Sequence, residues 1–424
     1  MKKFSSRILL MALVAIPLVL MPPPAGAQWI QTAMLTASDG QANDAFGLAT
    51  ANNGNTLVVG APARNHFSGA AYVFTQSNGV WTQVAELIPS DSVGGQFFGG
   101  SVAIANGNTI VVGADATAAF VQGAAYVFVK PATGWTNMSE TAKLTPSDGN
   151  QFDEFGFSVA AFNNTIVVGA PQHQVGSNQY QGTAYIFVEP GGGWTSMTQS
   201  AELTASDGVR TDNLGIGVAM QGSTVVAGSA LYNSLNGAGA AYVFEEPISG
   251  WTDEHETAKL TATDPSQFAF LGFSLAISAD EATIVAGAPR RGDSGVPYGS
   301  SYIFSKPAAG WHSATQTSEM FAPGQARQFG TVAINPQGTL VAVGAAWTND
   351  KAAKSGSAYI YRKPAGGWPP VPKVQAKLTQ SPPQAQANFG QGIGLRGAMA
   401  LVGADGATVN GSSGQGAVYV FKHQ

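Results

Sequence analysis

One pattern that occurs seven times constrains this chain more than any other feature. It reads Gly-x-x-Tyr, then Val or Ile, then Phe or Tyr, and successive copies begin 54 to 60 residues apart. The tyrosines are Tyr72, Tyr126, Tyr185, Tyr242, Tyr302, Tyr359 and Tyr419. A period of this length is typical of proteins built from one supersecondary unit per repeat.

Each repeat contains four short apolar segments bounded by Gly, Pro, Asn or Asp. The first follows a Phe-Gly or Leu-Gly pair, the second ends in Gly-Ala or Gly-Ser, the third contains the tyrosine, and the fourth opens with Trp. Short segments that are rich in β-branched and aromatic residues and bounded by turn residues are predicted strands. Four strands repeated seven times predict an all-β fold, a seven-bladed β-propeller of four-stranded antiparallel blades.

The position of the fourth segment predicts how the ring closes. No copy follows the last tyrosine, but residues 29–35 match residues 81–87 in the pattern Trp-x-Gln-x-Ala-x-Leu. We therefore predict that the outer strand 29–35 completes the blade formed by residues 388–422. Such closure covers strand edges that would otherwise favour aggregation.

The first 27 residues have the pattern of an export signal. Lys2, Lys3 and Arg7 precede an apolar run at 8–21, and small residues stand at 25–27. Because about 20 apolar residues are needed to span a bilayer, this run is too short for a stable membrane insertion. We predict a signal peptide at 1–27 cleaved after Ala27, a propeller at 28–424, and a secreted or cell-surface location.

Composition narrows the class of partner. Only 11% of the residues are charged, the net charge is -5, and there is no cysteine. A mildly acidic chain with few charges is unsuited to neutralising phosphates, so we expect no nucleic-acid partner. The lack of cysteine excludes disulfides and thiol catalysis. We expect a monomer that binds a protein or glycan ligand.

The repeat pattern resembles the FG-GAP repeat. The motifs that carry the resemblance are Phe-Gly, as in Phe46-Gly47, then Gly-Ala-Pro, as in Gly60-Ala61-Pro62, then Gly-x-x-Tyr-Val-Phe. The resemblance covers essentially all of 29–422. It implies the propeller found in integrin α-subunit heads and in many bacterial exported proteins, although a fold of this kind hosts many activities.

The calcium loops of integrin-like repeats do not carry over to this chain. In those repeats, Asp-x-Asp-x-Asp-Gly stands between the first two strands, whereas the turn at 52–55 here reads Asn-Asn-Gly-Asn. Calcium takes six or more oxygen ligands, which turns of this type do not offer. We therefore expect no cofactor.

Loop lengths indicate where a ligand binds. Because strands alternate in direction, second-to-third-strand loops and blade-to-blade connections lie on one face, and these loops vary in length. Binding residues are commonly placed on variable loops of a rigid scaffold. Our candidate ligand-binding residues on this face are Arg64, His66, His173, Tyr180, Tyr232, Arg291, Asp293 and Trp347. Arg291-Gly292-Asp293 also spells an integrin-recognition tripeptide.

Aspartates recur on the same face, eight residues and three residues before the repeat glycine. They either cap local turns or bind a cation through paired carboxylates. The candidates for the second role are Asp39, Asp44, Asp148, Asp153, Asp207 and Asp212.

Motifs for catalysis are scarce in this sequence. The five histidines form no metal-binding motif, and no Gly-x-Ser-x-Gly elbow or P-loop occurs. We expect no enzyme, but an exported, non-catalytic propeller that acts as a binding, adhesion or interaction scaffold for protein or glycan. The alternatives are a multivalent lectin and a propeller hydrolase or lyase.

Overall fold

A computed structural model describes residues 28–118, 120–231, 237–264, 269–292, 298–321, 323–324 and 326–424. The predicted signal peptide at 1–27 lies outside the described residues. In the described part of the chain, the strands form seven separate sheets, which are the blades of the predicted propeller.

The strands follow one another in the order that the repeats predict. The seventh blade takes its outer strand, β1 (Trp29–Leu35), from the N-terminal side. Blade one contains β2 (Thr50–Asn53), β3 (Thr56–Ala61), β4 (Ala70–Ser77) and β5 (Val80–Leu87), and Arg64–Phe67 form a tight turn between β3 and β4 in which Asn65, His66 and Phe67 have positive φ angles. Blade two contains β6 (Ser101–Ala105), β7 (Thr109–Ala114), β8 (Ala124–Val129) and β9 (Ala142–Leu144). Blade three contains β10 (Ser158–Phe162), β11 (Thr165–Ala170), β12 (Thr183–Val188) and β13 (Ala201–Thr204).

The remaining blades repeat this order. Blade four contains β14 (Leu214–Gln221), β15 (Thr224–Ser229), β16 (Ala240–Glu245) and β18 (Ala258–Thr261), and the short strand β17 (Glu254–His255) before β18 pairs with β13 of blade three. Blade five contains β19 (Ser274–Ile277), β20 (Thr283–Ala288), β21 (Ser300–Ser305) and β23 (Ser318–Phe321), and the short strand β22 (Ala314–Thr315) before β23 pairs with β18 of blade four. Blade six contains β24 (Phe329–Ile334), β25 (Leu340–Ala345), β26 (Ser357–Arg362) and β27 (Val374–Leu378). Blade seven contains β28 (Ile393–Arg396), β29 (Met399–Ala404) and β30 (Ala417–His423) beside β1.

The predicted closure is confirmed. Strand β1 pairs antiparallel with β30, from Trp29 opposite His423 to Leu35 opposite Val418. Beyond the ladder, the backbone N–H and C=O of Gln28 and Gln424 bond to each other at 2.9 and 3.0 Å. Leu35 is buried, whereas Ile30 and Met34 remain exposed. The strand is therefore held by its ladder and by one apolar face.

Two glycines per repeat set the spacing between neighbouring blades. The N–H of Gly99, from the Phe-Gly pair of blade two, donates to the carbonyl of Gly113 in the same blade at 3.0 Å. The α-carbon of Gly60, in blade one, lies so close that an added Cβ would stand 1.9 Å from the Gly99 carbonyl oxygen. The same contact recurs between Gly113 and Gly156, and between Gly403 and Gly47. A side chain at these positions would push the innermost strands apart, which explains why both motifs contain glycine.

The apolar core lies between adjacent blades. Phe46 packs edge-on against Tyr72 and Phe74, with ring centroids 5.6 and 6.0 Å apart, and other blades repeat this arrangement. All three rings are buried. Burial of a side chain of this size contributes ~1.5–3 kcal/mol, so each blade interface adds a substantial share of the stability.

The tryptophan segments differ from the prediction in blades two to six. Trp135 is buried in a loop, and the outer strand of blade two begins only at Ala142. Between them, Met138 bridges back to Leu87 of the preceding blade, and the Asn137 Oδ1 accepts a bond from the Glu86 N–H at 2.8 Å. The segment thus occupies part of the neighbour's exposed strand edge, which protects that edge from pairing with another chain.

None of the helical segments in the described ranges has the length and apolar character needed to cross a membrane.

Candidate functional site

The loop face contains the second-to-third-strand loops and the blade-to-blade connections, and the opposite end, the hairpin face, contains tight turns. Each second-to-third-strand loop begins directly after the Gly-Ala or Gly-Ser pair that ends the second strand. The recurring tyrosine and the recurring aspartate meet beneath these loops. The Tyr126 hydroxyl donates to Asp91 at 2.8 Å, and the Tyr242 hydroxyl donates to Asp207 at 2.9 Å. Tyr72 and Tyr185 make the same bond to Asp39 and Asp148 at 3.0 Å.

The two aspartate positions have different partners. The position eight residues before the glycine binds the tyrosine, whereas the position three residues before it caps a turn. Asp44 Oδ2 accepts the backbone N–H of Gln41 at 2.7 Å, and Asp153 and Asp212 make equivalent bonds. The prediction of turn caps therefore describes the second set, and the first set has a longer-range role.

In blades one to five, the aspartate eight residues before the glycine also meets a basic residue. Blades two and four place a lysine on the outer strand. Lys143 binds Asp91 at 2.5 Å and lies 5.5 Å from the Tyr126 ring centroid, and Lys259 binds Asp207 in the same way. Burial alone would raise the pKa of Asp91, but the hydrogen bonds from Lys143 and Tyr126 lower it below its usual value. Blade six also has an outer-strand lysine, but Lys377 binds an aspartate of the second-to-third-strand loop, Asp350, at 2.6 Å.

Blades one and five place the cation in the loop and a glutamate on the outer strand. Arg64 binds Asp39 at 2.5 Å and Glu86 at 2.9 Å. Arg291 binds Asp264 and lies 3.3 Å from Glu319. The guanidinium is always charged and offers several donors, so one arginine neutralises two carboxylates.

Blade three has the acidic groups of blades one and five but a histidine in the place of arginine. His173, like Arg64 and Arg291, stands four residues after the glycine of the second strand. Its Nδ1 is 2.8 Å from Asp153 Oδ2, and its Nε2 is 3.6 Å from Asp148 Oδ2. Burial would lower the pKa of His173, but the bond to Asp153 and the nearby carboxylates raise it. Asp148, His173 and Glu202 each offer one ligand atom, and these atoms lie within 4.8 Å of one another.

Exposed aromatic rings occupy strained backbone positions on the loop face. Four such residues have positive φ angles: Phe67 (62°), Phe120 (54°), Phe152 (68°) and Tyr180 (58°). Their side chains are between 43% and 68% exposed. The Phe67 ring lies 5.0 Å from Phe97, and Phe120 lies 5.7 Å from Phe152, measured between centroids. Both pairs bridge adjacent blades, and a positive φ is rare for bulky residues.

The central channel opens on the same face. A cavity of about 470 Å³ is lined by the innermost strands of all seven blades, where Ser101, Ser158 and Ser274 alternate with apolar residues. Asp115 is the one ionisable side chain among the described residues that line it. A second cavity of about 460 Å³, at the hairpin face, is lined by Asn52, Asn53 and Asn106 among others.

The sequence-predicted ligand residues are spread around the ring. Arg64 and Arg291 are bound in ion pairs, and His173 is buried against Asp153. His66, Tyr180 and Trp347 are exposed, and Trp347 also contacts Lys354, whose Nζ is 5.1 Å from the ring centroid. Tyr232 and Asp293, the last residue of the integrin-recognition tripeptide, lie outside the described residues.

Sequence reasoning missed Phe120 and Phe152. Their exposure depends on left-handed backbone, which a phenylalanine in a sequence does not indicate. The alternation between blades with an outer-strand lysine and blades with an outer-strand glutamate could have been found in the sequence. The residue before the outer-strand Leu or Met is alternately Glu and Lys. These residues are Glu86, Lys143, Glu202, Lys259, Glu319 and Lys377.

The fold and the variable loop face define a seven-bladed β-propeller of the kind that serves as a protein-interaction scaffold. The FG-GAP repeat family matches residues 29–74, 81–128, 138–187, 197–244, 254–304 and 373–421. These stretches cover more than half of the chain, so the protein belongs to the FG-GAP repeat family. Each matched unit runs from one outer strand to the third strand of the next blade. The family model does not match between residues 305 and 372, although the strands of blade six form a sheet there. Among curated proteins, none matches the chain.

Proposed function

We propose that this protein is an exported, non-catalytic scaffold that binds an extracellular protein through exposed aromatic residues of the loop face. The proposal includes secretion or surface location, and a monomeric state. The observation that carries it is the combination of exposure and backbone strain at Phe67, Phe120, Phe152 and Tyr180.

Comparison between blades supports a functional reason for this strain. Phe67 and Tyr180 stand two residues before the glycine of the Gly-x-x-Tyr motif, where Gly237 and Gly414 stand in blades four and seven. All four residues have positive φ angles, which glycine adopts freely. An aromatic residue there costs on the order of 1–3 kcal/mol. Because these rings remain between 43% and 68% exposed, their contacts within the fold offset the backbone strain only in part, and we attribute the positions to binding.

The chemistry of these rings favours a protein partner. Aromatic residues dominate the binding energy of protein interfaces, and clusters of them act as anchors. Phe120 and Phe152 form an edge-on pair without a polar tip, which suits an apolar side chain better than a sugar. The rings also differ between blades, which argues against the several equal sites of a multivalent lectin.

The test uses replacements taken from the protein's own repeats. Phe152→Asn introduces the residue that blade one has at the same position, Asn43, and Tyr180→Gly introduces the residue of blade seven. A random peptide display library is selected on the wild-type protein, and the affinities of the selected peptides are then measured on each variant. We expect at least 10-fold weaker binding and a higher melting temperature, because strain is relieved as contacts are lost.

Ile248→Ser is the matched control, since Ile248 is fully exposed in a turn of the hairpin face. Peptides that bind this variant and the loop-face variants equally would contradict the proposal. A glycan array run in parallel decides between ligand classes, because glycan binding without peptide binding would support the lectin alternative instead.

A further inference from the structure

We propose that blade three contains a binding site for a divalent metal ion of the zinc type, formed by Asp148, His173 and Glu202. Histidine nitrogen and carboxylate oxygen are a ligand set that zinc takes in proteins. The site adjoins part of the aromatic binding surface proposed above, since Tyr180 lies in the same loop as His173, but its ligands are different residues and the proposal does not depend on that surface.

The strongest argument is what the corresponding place holds in other blades. In blade one, the guanidinium of Arg64 lies between Asp39 and Glu86, and in blade five Arg291 lies between Asp264 and Glu319. Blade three keeps both carboxylates, Asp148 and Glu202, but its loop supplies a shorter imidazole. The repeat geometry therefore places a cation between these two carboxylates, and in blade three a metal ion takes that place.

The distances fit shared coordination. His173 Nε2 and Asp148 Oδ2 are 3.6 Å apart, which is too long for a good hydrogen bond. Two ligand atoms of a tetrahedral zinc ion, each at the usual bond length, are about 3.4 Å apart. The three ligand atoms lie within 4.8 Å of one another, so small side-chain movements bring all of them to one ion.

Hydrogen bonds from neighbouring residues orient the three proposed ligands toward one ion. Asp153 Oδ2 accepts a hydrogen bond from His173 Nδ1 at 2.8 Å, so the lone pair of the neutral imidazole is on Nε2, which lies 3.6 Å from Asp148 Oδ2. A carboxylate behind a ligating histidine is the usual second partner in zinc sites. The Tyr185 hydroxyl donates to Asp148 Oδ1 at 3.0 Å and leaves Oδ2 for the ion. The backbone N–H of Glu202 bonds to Asp253 Oδ1 at 2.9 Å, which fixes the strand at the third ligand.

The experiment measures zinc stoichiometry by calorimetry on protein without a histidine tag, and repeats it with cobalt to record the absorption bands of a coordinated ion. We expect one zinc per wild-type chain and a melting temperature that rises with zinc concentration. His173→Arg restores the arrangement of blades one and five, so it should fold normally and bind no zinc. Asp153→Asn should weaken binding by 10- to 100-fold.

A gain-of-site variant makes the test reciprocal. Arg64→His replaces the arginine pairs of blade one with an imidazole between Asp39 and Glu86, and we expect a second zinc per chain. Absence of zinc binding in the wild type, or one zinc retained by a cooperatively melting His173→Arg, would overturn the proposal. Failure of a folded Arg64→His variant to gain an ion would overturn the equivalence between the blades on which it rests.

Discussion

The odd-numbered blades one, three and five and the even-numbered blades two, four and six neutralise similar acidic groups by different routes. Even blades use a lysine of the outer strand, whereas blades one and five use a loop arginine that binds an aspartate and an outer-strand glutamate. The comparison shows that blades one to six each place a basic residue near the tyrosine, and that the strand or loop that supplies it differs between blades. Blade seven differs from both groups, because Met34 stands opposite Tyr419 in its outer strand.

The largest expected effect comes from removing the outer strand of blade seven. Deletion of residues 28–35 removes a seven-residue ladder partner and the buried Leu35. Ladder bonds contribute roughly 0.5–1.5 kcal/mol each, so their sum is comparable with the ~5–15 kcal/mol stability of a typical domain. We expect an aggregated or unfolded product in circular dichroism and gel filtration. Ile30→Ser, at an exposed position of the same strand, should remain folded, and a deletion variant that melts like the wild type would refute closure as a requirement.

This closure was predictable from the sequence, because residues 29–35 repeat the pattern of 81–87 and because strands alternate in a fixed order. The position of Trp135 was not predictable in the same way. A tryptophan before an apolar residue indicates a strand, yet the ring is buried in a loop, and Met138 makes one bridge to the neighbouring blade. The same bridge recurs between Leu144 and Met197, but one or two residue pairs per blade are too few to give a recognisable strand pattern in the sequence.

The candidate site was predictable only in part. The recurring aspartates were visible and suggested turn caps or a cation site, but the hydrogen bond from Tyr126 to Asp91 spans 35 residues and no local spacing indicates it. The contact between His173 and Asp153 likewise depends on how the loop of blade three folds over the connection before it. Such contacts follow from the three-dimensional ring rather than from a motif.

The next largest effect should distinguish the two routes of neutralisation. Arg64→Met removes the charge shared by Asp39 and Glu86, and Lys143→Met removes the partner of Asp91. The Arg64 side chain is 19% exposed and the Lys143 side chain 34%. We expect a loss of roughly 2 kcal/mol for the first and about 0.5–1 kcal/mol for the second, measured by urea denaturation at neutral pH. Equal losses would show that the two routes are energetically the same.

A charge exchange tests whether one type of blade can be converted into the other. Lys143→Glu gives blade two the outer-strand glutamate of blade one without a cation, and we expect a loss of roughly 1–2 kcal/mol. Thr117→Arg places an arginine four residues after the second-strand glycine, as in blade one, and should restore most of the stability in the double variant. A double-mutant cycle from denaturation curves measures the coupling. Purely additive effects would contradict the proposed equivalence of the two arrangements.

The smallest expected effect on stability concerns Glu154, which lies in the connection between blade two and blade three. Burial and the nearby charge of Asp115 raise the pKa of Glu154 to about 7, from 4.5. Because the folded-state pKa is raised, stability is highest below pH 4.5 and falls as the pH rises from there through 7. Glu154→Gln removes this loss and preserves an acceptor for Gln172, which donates to Glu154 at 2.5 Å. We expect the variant to be more stable by about 1 kcal/mol at pH 8 and equal to the wild type near pH 4.5.

Asp115→Asn is the control for the cause of this shift. It removes the charge that faces Glu154, so the stability gained from Glu154→Gln at pH 8 should be smaller in its presence. Asp115 is itself buried, which raises its pKa, and its own replacement should also stabilise the protein at high pH. If Glu154→Gln gives the same gain with and without Asp115, burial alone accounts for the raised pKa. In that case, the raised pKa of Glu154 at the junction between blades two and three results from burial of its carboxylate and not from repulsion by Asp115.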